Sequence, residues 1–235
     1  MPIEQLTRQL DWLASGKVKV MSPEKLIEAG DDIDALSLTF DDGFVNFGEC
    51  AAPLLSDRGI DATVFVAPSH VGGVNRWDTA NAAIPKLPLL SWDELRALKS
   101  AGFDVGGHGQ THRSLKALEQ SALDLEITEC ALNIEANIGH FPEAFAFPYG
   151  DFDASSCAAV ARKFRLACTT EMRILSQTDS AYVLPRIDMY YFREKSIGAM
   201  WGTPAFGAYV KVRASLRGIR AFASHYRSII PGSST

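Results

Sequence analysis

Short apolar runs that stop at Asp, Gly or Pro, separated by stretches of helical periodicity, fill the first three quarters of this 235-residue chain and constrain its fold more than any other feature. Residues 36–40 (LSLTF) read as a buried strand ending at Asp41-Asp42-Gly43. Residues 62–67 (ATVFVA), rich in β-branched and aromatic side chains, read as the next. Residues 103–105, broken by Gly106-Gly107, then 144–147 and 166–168, continue the series, with Val183-Leu184 as one more. Helices are expected between them. One covers 49–58 with Pro53 in its first turn or at a kink, one opens at the capping box Ser91-Trp92-Asp93-Glu94, and one covers 154–163. A long one starts at Ser114, with Leu115, Leu118, Leu123, Ile127, Ala131, Ile134 and Ile138 on its apolar face. Two more precede the first strand: one shows Leu6, Leu10 and Leu13 on one face before Gly16, the other runs from Ser22-Pro23 to a stop at Gly30.

Strand and helix alternating at this pitch predict an α/β fold, a parallel sheet covered by helices. A β/α barrel and an open doubly wound sheet both fit, and the barrel is favoured. No glycine-rich dinucleotide fingerprint follows the first strand and no P-loop pattern occurs. The chain reads as one domain, 1–235, with 195–235 a helical C-terminal extension ending in a frayed tail, IPGSST. A net charge of -5 gives no basic stripe for nucleic acid. No apolar run is long enough for a membrane span, and the opening residues lack a signal-peptide pattern, so a cytoplasmic location is expected. The four cysteines form no C-x-x-C pair and read as reduced, mostly buried residues. A homo-oligomer is left open.

Three segments that each follow a predicted strand carry the chemistry: TFDDG (39–43), GHGQTH (107–112) and FPYG (147–150). Catalytic groups collect on that rim in parallel α/β folds. His108 and His112 are four apart, which puts two imidazoles on one face of a helical turn or tight loop. Two histidines and a carboxylate suffice for Zn²⁺, and iron or manganese use the same arrangement. Asp41 and Asp42 read either as a turn with Gly43 or as a pair in which one carboxylate ligates metal and its neighbour takes a proton from water. In the 147–150 turn, Phe147 and Pro148 are candidate substrate contacts. A backbone N–H there could face an oxyanion, with Tyr149 lining the pocket. Arg186 and Asp188 either orient the carboxylates or form an ordinary rim ion pair. Trp77, beside Asn75, Arg76 and Asp78 in the long 68–90 connection, is a candidate for stacking on a sugar ring or for loop packing.

Taken in order over roughly residues 5–190, these segments resemble the polysaccharide deacetylase family, also called the NodB-homology or carbohydrate esterase family 4 domain. The resemblance implies a distorted (β/α)₇ barrel, here shortened at the N-terminus. It also implies a metal-dependent enzyme that removes an acetyl group from an N-acetylated saccharide or sugar conjugate. On it, Asp41 is the catalytic base, Asp42, His108 and His112 hold Zn²⁺ or another divalent transition metal, and the Tyr149 amide helps bind the oxyanion. FAFPYG at 145–150 is similar to the FAYPYG form of the family's third motif. The chain departs from the pattern in three places. Gly109 stands where Ser or Thr is usual, and Ala146 stands where an arginine is common, which leaves Arg186 to supply the guanidinium. The leucine-histidine motif that ordinarily provides the general acid has no counterpart after Ile187, so His70 or Asp41 itself is left to protonate the amine. A non-catalytic glycan-binding or scaffold protein and a hydrolase of a small non-sugar amide or ester are the competing readings.

Overall fold

The computed structural model describes residues 2–29, 33–77, 84–192 and 198–229, the last helix by its side chains as far as Gly218. Gly30, Asp78, the start of the expected extension at 195–197 and the tail from 230 onward lie outside the described residues.

Helix α1 (Ile3–Ala14) buries Leu10 and Leu13, and Gly16 leaves it with φ 76°. Strand β1 (Lys19–Val20) follows, then α2 (Pro23–Glu28), capped by the Ser22 hydroxyl. The expected strand at 36–40 is divided. β2 (Ala35–Leu36) pairs in parallel with β1, and β3 (Thr39–Phe40) pairs in parallel with β4 (Thr63–Val66). Between them the Ser37 hydroxyl donates to Met21 O and Leu38 O accepts from the Thr63 amide, so one extended run turns from one neighbour to the other. This bend curls the sheet. β5 (Asp104–Gly107), β6 (Ala144–Ala146) and β7 (Leu166–Cys168) complete a five-stranded parallel sheet in the order β3-β4-β5-β6-β7. The result is a curled, open barrel-like sheet with flanking helices.

The glycine pair expected to break β5 lies inside it. A Cβ at Gly106 would stand 2.5 Å from Phe65 Cδ1 and 2.8 Å from Ala144 O, and one at Gly107 would stand 3.0 Å from Cys130 Sγ. Bareness here admits neighbours on both sides of the strand. Val183-Leu184 also differs from expectation. Leu184 makes one parallel bridge to Cys168, and the Arg186 amide then bonds Glu171 O while the Arg186 Nε donates to Thr169 O, so the ladder stops after one residue.

The helices show the same competition between propensity and tertiary contact. The expected 49–58 helix is a π turn at Phe47–Ala51 leading into α3 (Ala52–Ser56), with Pro53 in the first turn of α3, where its missing N–H does least harm. α4 (Trp92–Ser100) has the expected capping box. α5 (Gln120–Ile138) starts six residues later than Ser114, because Ala117 takes φ 59° and its amide bonds Asp153 Oδ2 at 2.8 Å. Leu115, though outside the helix, is fully buried. α6 (Ala154–Ala161) is capped by Asp153, and α7 (Pro204–Ile229) packs Phe206 and Val210 against Ile187, Phe192 and Trp201.

No backbone ladder joins the 184–186 edge to β3. A cavity of about 990 Å³ occupies that gap, bounded by Trp12, Leu38, Thr39, Leu184, Arg186 and Phe206 among others. Arg186 reaches across it. Its Nη1 donates to Thr39 Oγ1 at 3.3 Å and its Nε to Thr169 O at 2.8 Å, so one side chain ties the last edge to the first strand of the sheet.

Candidate metal centre and active site

The strand ends bring Asp42, His108 and His112 together. Their donor atoms all lie within 4.8 Å of one another, and among the described residues this is the metal-competent cluster. Asp42 Oδ1 stands 3.5 Å from His108 Nε2 and 3.0 Å from His112 Nε2. Two ligand atoms bound at about 2 Å and a tetrahedral angle stand roughly 3.3 Å apart, so the spacing suits one ion. The His108 ring is held in a ligating orientation. Its Nδ1 lies 2.7 Å from Ala146 O and donates to it, which leaves the Nε2 lone pair facing Asp42. Asp42 Oδ1 is buried and faces the two imidazole Nε2 atoms. Burial raises the Asp42 carboxyl, but the two imidazoles outweigh it and hold the group below the usual carboxylate range. Burial likewise lowers His108, and the Asp42 and Asp41 carboxylates carry it upward instead. Both shifts express a demand for positive charge among these groups, which a divalent cation meets. The donor set fits a transition metal.

Asp41 takes a different partner. Arg186 grips it with two parallel bonds, Nη1 to Oδ1 at 2.5 Å and Nη2 to Oδ2 at 2.8 Å, and lies 5.8 Å over the Phe65 ring. Burial pushes the Asp41 carboxyl up, but the Arg186 charge, with His108, brings it below its ordinary value. The site therefore holds one carboxylate among imidazoles and another, next in sequence, held ionised by a guanidinium. Asp42 accomplishes the divergence at φ 74°. Gly43 follows at φ 67°, where a Cβ would meet Val66 Cγ1 at 2.8 Å.

The histidine loop is not helical. His108 and His112 flank a tight turn with Gly109 at φ 72° and His112 at φ 56°. The Trp77 indole stacks on the His112 ring at 4.2 Å and 22°. The connection that delivers it is pinned by buried Asn75, which bonds Pro85 O and the Leu87 amide, and by the Val74–Pro88 and Phe44–Leu89 bridges. Tyr149 packs T-shaped against His112, with ring centroids 4.9 Å apart. It too has positive φ, 61°, and the following Gly150 is obligatory because a Cβ would fall 2.1 Å from Thr170 Oγ1.

The other candidates lie outside this cluster. Phe147 is fully buried between Phe145 and Phe152, beneath the turn it precedes rather than in the pocket. Pro148 is buried beside Gly109. Asp188 is exposed, and its Oδ1 accepts from the Tyr190 amide. His70 rests on Trp77 and places Nε2 3.2 Å from Thr111 O. The cysteines are free thiols. Burial pushes Cys130, behind His108, up to about 12, so it stays protonated and packs rather than ligates. Glu126 was not singled out by sequence, although a carboxylate between Leu123 and Ile127 on an apolar helical face was visible there. Its buried side chain accepts from the Thr111 amide and hydroxyl.

A model of the polysaccharide deacetylase family matches residues 29–167. The chain belongs to the polysaccharide deacetylase family. The matched span contains Asp41, Asp42, both metal-competent histidines and Tyr149, while Arg186 lies beyond it. YxkH of Bacillus subtilis, provisionally assigned to the polysaccharide deacetylases, is 20% identical over 217 residues, which are 90% of this chain and 70% of YxkH. Two solved structures share the fold. IcaB from Ammonifex degensii aligns with a TM-score of 0.71 at 18% identity over 89% of each chain. The Streptococcus pyogenes deacetylase PplD, solved in complex with acetate, aligns with a TM-score of 0.68 at 20% identity over 79% of this chain and 80% of PplD. Among the described residues, no helix of this deacetylase family member is long and apolar enough to cross a membrane.

Proposed function

We propose that the chain is a metal-dependent deacetylase that hydrolyses the acetamido group of an N-acetylated saccharide or sugar conjugate. The convergence of Asp42, His108 and His112 beside a separately anchored Asp41 carries the reading. Asp42, His108 and His112 would hold a divalent transition metal, Zn²⁺ in the first instance. When bound there it supplies Lewis acidity and makes water easier to deprotonate. Asp41 takes a proton from the attacking water, and Arg186 fixes the orientation of that carboxylate. The Tyr149 amide is the protein's donor to the oxyanion of the tetrahedral intermediate. Trp77 and Tyr149, the two aromatic rings against His112, wall the acetamido pocket. With His70 committed to Trp77 and Thr111, Asp41 returns its proton to the departing amine as the C–N bond breaks, leaving acetate and a free amino sugar. Arg186 takes the charge-pairing place left by Ala146. That substitution, with FAFPYG at 145–150, supports a place in the FAYPYG-type subgroup.

The test is acetate release from N-acetylated oligosaccharides with and without chelator, alongside metal analysis of wild type, His112→Ala and Asp41→Asn. We expect chelator-sensitive release by the wild type and loss of metal and activity together in His112→Ala. Asp41→Asn should retain metal and lose roughly 10²–10⁴-fold in rate. A metal-loaded wild type that releases no acetate would favour the glycan-binding reading, and full activity in Asp41→Asn would remove Asp41 as base.

A further inference from the structure

We infer that Glu126 is a positioning residue that holds His112 in its ligating pose by bracing the loop through Thr111. The inference rests on the reading that Asp42, His108 and His112 bind a metal. Glu126 sits in mid-α5 among Leu123, Ile127 and Cys130, only 5% exposed, where a carboxylate needs hydrogen bonds to be tolerated. Its bonds go to the loop between the two histidines. Oε2 accepts from the Thr111 amide at 2.9 Å and Oε1 from the Thr111 hydroxyl at 2.5 Å, while the Glu126 backbone oxygen accepts from the Gln110 amide at 3.0 Å.

His112 needs this support and His108 does not. A ligating imidazole is ordinarily oriented by a hydrogen bond from its other nitrogen. His108 has that bond, to Ala146 O, whereas His112 Nδ1 is buried with no hydrogen-bond partner. The His112 ring is therefore aimed by its backbone and by ring contacts with Trp77, Tyr149 and His108 rather than by a hydrogen bond, and the backbone is in the left-handed region at φ 56°. A conformation of that kind persists only where neighbouring contacts over-determine it. Gly109 completes the device. At φ 72° it suits a residue without a side chain, and a Cβ would stand 3.3 Å from Glu126 Oε2 and 3.4 Å from Pro148 Cγ. The bare position lets the carboxylate close on the loop.

The experiment titrates metal-free wild type, Glu126→Gln, Thr111→Val and the double variant with Co²⁺ against a competing chelator, reading affinity and the visible d–d band. Urea midpoints of the metal-free proteins are measured in parallel. Thr111 is exposed, so its substitution leaves the core intact, and it decides the matter alone if Glu126→Gln does not fold. We expect each single variant to bind Co²⁺ roughly 10–100-fold more weakly, the range for partners that orient metal ligands. The d–d band should be altered and the Thr111→Val urea midpoint unchanged. The double variant should be no weaker than the worse single one, because both act through one contact. Wild-type Co²⁺ affinity in both single variants, with or without a lower urea midpoint, or fully additive losses, would overturn the brace while leaving the metal reading intact. A wild type that binds no Co²⁺ removes both.

Discussion

Replacing Arg186 by Met should cost more than a rim ion pair is worth, because this side chain closes the sheet. Breaking a fully buried ion pair by removing one partner costs about 3–5 kcal/mol, and exposed pairs are worth about 0–1 kcal/mol. Arg186 is 17% and Asp41 34% exposed in their side chains, so the pair lies between these limits, at about 2 kcal/mol. The bonds to Thr169 O and Thr39 Oγ1 add about 1 kcal/mol. Arg186→Met should thus lose about 3 kcal/mol, or roughly 6–12 °C in Tm for a chain of this size. Asp41→Asn, which keeps an acceptor but strands the guanidinium, should lose about 2 kcal/mol. The double variant has no unpaired charge and should lose about 3 kcal/mol, leaving a coupling of about 2 kcal/mol. Urea unfolding in chelator, which separates the pair from any metal contribution, measures all four proteins. Additive losses within about 0.5 kcal/mol would show that the two groups do not depend on each other, and the closure derived from their geometry would be wrong.

Two further outcomes follow from packing and charge. Gly106→Ala drives a methyl into the Phe65 ring and should destabilise the fold by about 1–3 kcal/mol in the same urea assay, whereas Gly16→Ala meets nothing within 4 Å and should cost only its unfavourable φ, about 1 kcal/mol. The hydrogen bond from Arg173 holds the Asp179 carboxyl below its ordinary value. Because the folded-state pKa is the lower one, this stabilisation is complete above the unfolded carboxylate range and disappears as pH falls through the folded value. Asp179→Asn should therefore cost up to about 1 kcal/mol at pH 7, a cost that shrinks as pH falls below the unfolded carboxylate range; a cost that stayed constant into acid would contradict the ion-pair account.

Sequence made the candidate site groups legible because their chemistry depends on spacing. Two histidines four apart and two adjacent carboxylates after a strand say much about a metal whatever holds them. It was less informative about how they are held. Trp77 reaches His112 from a connection whose course is set by Asn75, and Glu126 reaches the histidine loop from a helix, contacts that no local period encodes. The same limit explains the misplaced boundaries. Gly106-Gly107 reads as a break by propensity, yet Phe65, Ala144 and Cys130 require glycine inside the strand. Ser114 reads as a helix start, yet Asp153, 36 residues beyond Ala117, captures the Ala117 amide first. Arg186 was visible as a candidate, but its position across an unpaired edge depends on how far the sheet curls, a property of all the strands together.

Asp42, His112 and Tyr149 all occupy the left-handed backbone region, and all three adjoin the candidate metal site. Each such conformation costs on the order of 1–3 kcal/mol in a non-glycine residue. A laboratory selection for heat resistance alone would thus press on these three positions, where glycine relieves the backbone, and every such gain would remove a candidate ligand or the proposed pocket wall.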